Sequence, residues 1–181
     1  MKDLLILGIG NPYISDDGVG IHVTRRLQRT ISDPRVECKE FCNSGFDAIS
    51  LLDGYQSVIV IDAAKTGKVP KGQYQILSHH ELTALAYPYS LHTFGFLSAI
   101  QLGSILSLPL PSSITVFAIE VSNTEIFGEE CSPEVASAVP LITQSVLEHI
   151  KKMIPDINLL QEEIIYPKSN FEYEIKPLCN I

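Results

Sequence analysis

Two continuous apolar runs, "LLILGI" at residues 4–9 and "SVIVIDAA" at 57–64, constrain the fold most. A strand that leaves one face to water alternates polar and apolar residues; these runs do not, so both faces need cover. The segment after the first run supplies cover of the right kind. Val19, Val23, Leu27 and Ile31 recur every four residues with Arg25, Arg26 and Gln28 between them, an amphipathic helix stopped by Asp33-Pro34. Strand and helix alternate along the chain, which defines an α/β class: a mostly parallel sheet between two helical layers.

The remaining segments fit that plan. "RVECKEF" alternates weakly and predicts an edge strand, and "FDAISLLDGY" predicts a short helix closed at Gly54. "GQYQIL" predicts a peripheral strand and "SITVFAIEV" (113–121) a further one. In "TFGFLSAIQLGSIL" a helix is expected, with Phe94, Leu97, Ile100 or Gln101, and Ile105 along one face. Ser132-Pro133-Glu134 predicts a helix start, Ser at the N-cap and Pro in the first turn. Its apolar stripe is Val135, Val139, Ile142, Val146, Ile150 and Met153, with Pro140 inside it. Periodicity fades from Pro155. One α/β domain over residues 1–154 is expected, with 155–181 an extension packed on the body or flexible.

The chain of 181 residues is 45% hydrophobic and 19% charged, which excludes disorder. A formal net charge of −8, with no Lys/Arg stripe, argues against a nucleic-acid partner. No apolar segment reaches the length of a membrane span, and a soluble cytoplasmic protein is expected. Cys38, Cys42, Cys131 and Cys179 are expected to be reduced, buried or half-buried thiols; "CKEFC" is a poor zinc signature.

In open α/β sheets ligands bind beyond the carboxyl ends of the strands. Three side chains are candidates to meet there: Asp17 after the first strand, Asp62 at the end of "VIVID", and His92 in "YSLHTFGF", placed in the loop before the next helix. Two carboxylates and an imidazole suit a borderline divalent metal such as nickel or zinc. Asp16 or Asp17 could instead cap the helix, and Asp62 a turn. Weaker candidates are Glu120 at the end of "VFAIE", the pair His79-His80, and His22 and His149 on helices.

The loop "LGIGNPYISDDGVG" (7–20) resembles a nucleotide-binding turn, but the third glycine of a dinucleotide fingerprint is missing after Gly8 and Gly10. Two carboxylates at the helix start would also repel a pyrophosphate. The glycines are expected to let the backbone turn sharply, with Asn11 bracing the loop. No G-K-[ST] follows, and no G-x-S-x-G or other nucleophile turn is evident, so metal-assisted attack by water is the favoured route for a hydrolase.

"LLILGIGNPYISDDGVG" resembles the N-terminal motif of the hydrogenase maturation proteases. "VIVIDAA", "SLHTFGF" and "IEVSNTEIFGEECSPEVASAV" follow in the same order, and the resemblance covers about residues 3–153. It implies a three-layer α/β/α sandwich on a twisted five-stranded sheet. The implied activity is that of an endopeptidase removing the C-terminal extension of a [NiFe] hydrogenase large-subunit precursor after nickel insertion. Carried over by position, the metal-binding acids fall on Asp17 and Asp62 and the histidine on His92. The nickel would come with the substrate, no tightly bound metal of the protein's own being expected; zinc or cadmium could substitute.

Three other readings compete. A peptidyl-tRNA hydrolase-like enzyme has a similar "GLGNPG" loop but expects a histidine soon after it and a basic surface; here His22 lies on the helix and the charge is −8. A metallochaperone or other partner-binding factor without catalysis would use the same ligands. A nucleotide-dependent enzyme would respond to nucleotide with a change in melting temperature.

Overall fold

The computed structural model describes residues 2–42, 47–78, 81 and 91–160, and of residues 47 and 91–94 the backbone alone. Five strands form one sheet in the order β2-β1-β3-β5-β4. They are β1 (Lys2–Ile9), β2 (Val36–Phe41), β3 (Tyr55–Ala64), β4 (Tyr74–Ser78) and β5 (Ser113–Glu120). β1 pairs parallel with β2 and β3, and β3 with β5; β4 alone runs antiparallel, on the outer edge. Among the described residues the longer helices are α1 (Val19–Thr30), α2 (Asp47–Leu52), α3 (Leu91–Ile105) and α4 (Pro133–Met153). The mostly parallel sheet between helical layers agrees with the sequence.

Strand parity divides the core. Leu4, Ile6, Ile59, Ile61, Phe117 and Ile119 face α1 and α4, meeting Val23, Leu27, Val139, Val146 and Ile150. Leu5, Leu7, Val58, Val60, Val116 and Ala118 face α2 and α3, meeting Ala48, Leu52, Phe96 and Ala99. Each such Val, Leu or Ile contributes about 1.5–3 kcal/mol by leaving water. The runs carry no polar alternation because both parities are buried.

Several expectations are corrected. α3 buries Phe96, Ala99 and Ile100 with Leu97 packed against them, so the expected face holds at Leu97 and Ile100 and fails at Ile105, which is 78% exposed; the Phe94 side chain lies outside the described residues. α3 is apolar nearly all round, and periodicity cannot choose a side on such a helix. Met153 ends the α4 stripe but stands partly in solvent. α4 runs through Pro140. Ser132 is its N-cap residue, yet the hydroxyl makes no cap bond. Its N–H donates instead to Asp16, far away in sequence.

Residues 155–160 turn back under α1. Asn158 and Thr30 carbonyls accept N–H bonds from Ser32 and Leu160, and Arg35 ties Asp33 to Asp156. Residues 161–181, with Cys179, lie outside the described part. Among the described residues no helix is long and apolar enough to cross a membrane.

Candidate functional site at the carboxyl edge

β1 leads to β2 on one side and β3 lies on the other, so the sheet's switch point falls between β1 and β3. At this point adjacent parallel strands send their connections to opposite sides, leaving a crevice beyond their carboxyl ends. The chain leaves β1 through Gly10 and turns back over this end. Gly10 has φ +136°, and a Cβ there would collide with the Asp17 carbonyl oxygen, so only glycine fits. Asn11 braces the turn: its side-chain oxygen accepts the Tyr13 N–H at 3.0 Å, and its carbonyl oxygen the Ile14 N–H.

Gly8 and Gly20 serve closeness rather than turning. A Cβ on Gly20 would strike the carbonyl oxygens of Ile61 and Ile9; one on Gly8 would strike Thr24 and the Gly20 carbonyl. The close helix–strand approach associated with a third glycine is therefore made by Gly20, outside the fingerprint spacing. It seats the start of α1 directly on the ends of β1 and β3.

That seating delivers Asp17 to the switch point. Asp17 lies in a 3-10 turn, Ser15–Gly18, preceding α1, and its Oδ2 accepts the Asn11 N–H at 2.7 Å. Asp62 follows Ile61, whose carbonyl oxygen touches Gly20. Its Oδ1 accepts the Ala63 N–H at 2.8 Å, and it shares strand parity with Val58, Val60 and Ala64, so it leaves β3 on the α3 face. Both aspartates are buried. The structure thus brings Asp17 and Asp62 to the same end of neighbouring strands.

His92 is the second residue of α3, not a residue of the preceding loop as expected. α3 descends toward the amino ends of the strands: shortly after it, Ser112 donates its N–H to the Gln56 carbonyl at the start of β3. The first turn of α3, about 20 Å back along the axis, therefore belongs to the carboxyl edge. The His92 side chain and His79-His80 lie outside the described residues. Among the described residues no three His, Cys, Asp or Glu side chains gather to hold a metal.

Asp16 is no helix cap. Fully buried, it accepts the N–H groups of Ser132 at 2.6 Å, Asn123 at 3.0 Å and Ser122 at 3.4 Å. Burial pushes its carboxyl up, but these donors outweigh burial and hold it below the usual carboxylate range. Its partners lie more than a hundred residues away, and nothing local in the sequence announces them. Glu120 likewise binds the Thr66 and Gly67 N–H groups and the Thr66 hydroxyl, which fixes the loop after β3.

His22 is half-buried, and burial together with Arg25 lowers its pKa. The described thiols are unpaired: Cys38 and Cys131 are partly buried, whereas Cys42 is exposed, against expectation. Burial pushes Cys38 up to about 12 and Cys131 up to about 11.

A doubly wound sheet with carboxylates collected at its switch point is the frame of an α/β enzyme, and comparison with known proteins narrows the class. A family model described as hydrogenase maturation protease matches residues 21–149. The chain belongs to the hydrogenase maturation protease family, and it is a peptidase of hydrogenase maturation. Among its relatives, a hydrogenase expression/formation protein HupD of Rhodobacter capsulatus is 28% identical over 149 residues, covering 80% of this chain and 70% of the relative. A hydrogenase 2 maturation protease of Escherichia coli is 28% identical over 103 residues, 54% of this chain and 63% of the relative. The fold is that of the hydrogenase maturating endopeptidase HybD from E. coli, with a TM-score of 0.76 at 20% identity over 87% of this chain and 96% of that one. A [NiFe] hydrogenase maturation protease HybD from Thermococcus kodakarensis aligns with a TM-score of 0.68 at 24% identity, over 81% and 98% of the two chains.

Proposed function

We propose that the protein is an endopeptidase that removes the C-terminal extension of a nickel-loaded [NiFe] hydrogenase large-subunit precursor, recognising the substrate's nickel through Asp17, Asp62 and His92. One observation carries this reading: in a chain of this family, Asp17 and Asp62 both lie buried at the carboxyl ends of the neighbouring strands β1 and β3, the edge at which an α/β sheet receives its ligand. The direction of α3 supports His92 as the third member. Two carboxylate oxygens and an imidazole nitrogen form a donor set for a borderline divalent ion, and zinc or cadmium would suit it too. The nickel arrives as part of the substrate, the resting protein holding no tight metal of its own.

Bound nickel would place one peptide bond of the precursor beside the carboxylates. Water is the attacking group, either polarised by the metal or deprotonated by a carboxylate as general base, which makes the chemistry aspartic in type. The raised thiols of Cys38, Cys42 and Cys131 support water over a cysteine nucleophile, because little thiolate exists near neutrality. Unpaired thiols also suit the cytoplasm as the compartment of the reaction.

The test is the intact mass of a nickel-loaded precursor after incubation with the wild-type protein and with D17N, D62N and H92A. The wild type is expected to shorten the precursor at its C-terminus. Each variant is expected to lose processing by ~10²–10⁴-fold or more while keeping the wild-type melting temperature. Normal cleavage by all three variants would refute the assignment.

A further inference from the structure

Beyond the two aspartates, the carboxyl edge carries a surface that burial does not explain. Phe127 is 87% exposed and Ile126 60% exposed, adjacent in the stretch Glu125-Ile126-Phe127-Gly128-Glu129-Glu130, all six residues of which face solvent. A floppy loop would expose such side chains without consequence, but this backbone is tied down. Gly128 donates its N–H to the Tyr13 carbonyl at 3.0 Å and accepts the Ser15 N–H at 2.7 Å, a parallel bridge beside Ile14. The Ser15 hydroxyl donates to the Glu130 carbonyl, and Ser15 holds φ +38°, a left-handed conformation maintained by those bonds. Asp16 secures both flanks of the segment through Asn123 and Ser132. Tyr13, 62% exposed, stands on the turn to which the segment is tied.

We infer that Ile126 and Phe127 form a docking ledge for the precursor, one that accepts an apolar side chain flanked by basic residues. The inference rests on the substrate proposed above. Two adjacent exposed apolar side chains on an anchored loop mark an interaction surface. Glu125, Glu129 and Glu130 surround them with negative charge, in a chain of net charge −8. Charge complementarity therefore selects a positively charged segment. The ledge is continuous through Ser15 and Asp16 with the turn that holds Asp17, so a chain seated on it is led toward the switch point. It acts on binding and leaves the reacting atoms to other residues.

The experiment compares the wild type with I126S/F127S and with E125Q/E129Q/E130Q, measuring both direct binding of nickel-loaded precursor and the kinetics of its shortening. The apolar double variant is expected to raise Kd and KM about tenfold or more, with kcat near wild type and an unchanged melting temperature. The charge variant is expected to slow association and flatten its dependence on salt. Wild-type Kd and KM in both variants would overturn the ledge. If the wild type binds the precursor without shortening it, the proposed reaction fails, and the ledge stands or falls on the binding data. If the wild type neither binds nor shortens it, both fail.

Discussion

The two ends of the sheet hold their carboxylates in different ways. At the amino end they lean on cationic side chains. Arg35 grips Asp33 through two nitrogens at 2.7 and 2.9 Å and reaches Asp156 at 3.0 Å, while Glu37 pairs with Lys2. At the carboxyl end Glu40 still pairs with Arg25, but four other carboxylates accept backbone N–H groups: from Asn11 to Asp17, from Ala63 to Asp62, from Ser122, Asn123 and Ser132 to Asp16, and from Thr66 and Gly67 to Glu120. A cation neutralises its partner and closes a structural clasp. A backbone N–H orients and stabilises a carboxylate while leaving its unit charge in place. At the carboxyl end the backbone donors to Asp16 and Glu120 fix the loops that border the site, and at the amino end the ion pairs fasten the chain.

Exchanging defects between the ends would break this comparison most sharply. D17N is expected to abolish precursor shortening with an unchanged melting temperature; D33N is expected to lower the melting temperature, because the Arg35 clasp and the Asn158 N–H bond weaken, and to leave kcat near wild type. Parallel thermal melts and mass-spectrometric assays check both. Next in size is G20A. A methyl group there meets two backbone carbonyl oxygens that cannot swing aside, and a loss of ~3 kcal/mol or more in urea unfolding is expected.

D16A should cost somewhat less, about 2–3 kcal/mol, by leaving backbone N–H groups without their acceptor. Unlike D33N, it should also weaken processing, since the segment 122–132 that borders the site loses its tie. The smallest effect is acid sensitivity. The Asp16 carboxyl is held below its ordinary value in the folded protein, so its contribution is fully present above that value and is lost as pH falls below about 4. A shallower acid limb in the urea stability of D16N than of wild type would verify it.

The layered sheet was legible in the sequence because β1 and β3 are apolar at every parity, a pattern satisfied only by helices on both faces. The edge position of β4 and the start of α4 were legible from short-range chemistry, a peripheral apolar segment and a Ser-Pro pair. What escaped was long-range or degenerate. The apolar surface of α3 offers no polar face to exclude, so the expected stripe held at Leu97 and Ile100 but missed Phe96 and Ala99 and wrongly took in Ile105. Asp16 and Ser132 each carry a capping signature, but across 116 residues they satisfy one another instead. Nothing local marks Gly20, because the group it must clear, the Ile61 carbonyl, lies on another strand. For the site, the positions of Asp17 and Asp62 followed from the rule that ligands meet strand ends at a switch point, whereas the placement of His92 within α3 required the helix boundary itself. The Ile126–Phe127 ledge had a signal, an apolar pair inside a run of glutamates, that points to a surface only once the loop is known to be anchored.

The central claim is that this edge reads a metal carried by its substrate. Nickel-loaded and nickel-free forms of the same precursor, incubated with the purified protein and followed by intact mass, test it most directly. The account predicts a C-terminal mass loss in the loaded form alone; equal shortening of the nickel-free form would contradict it.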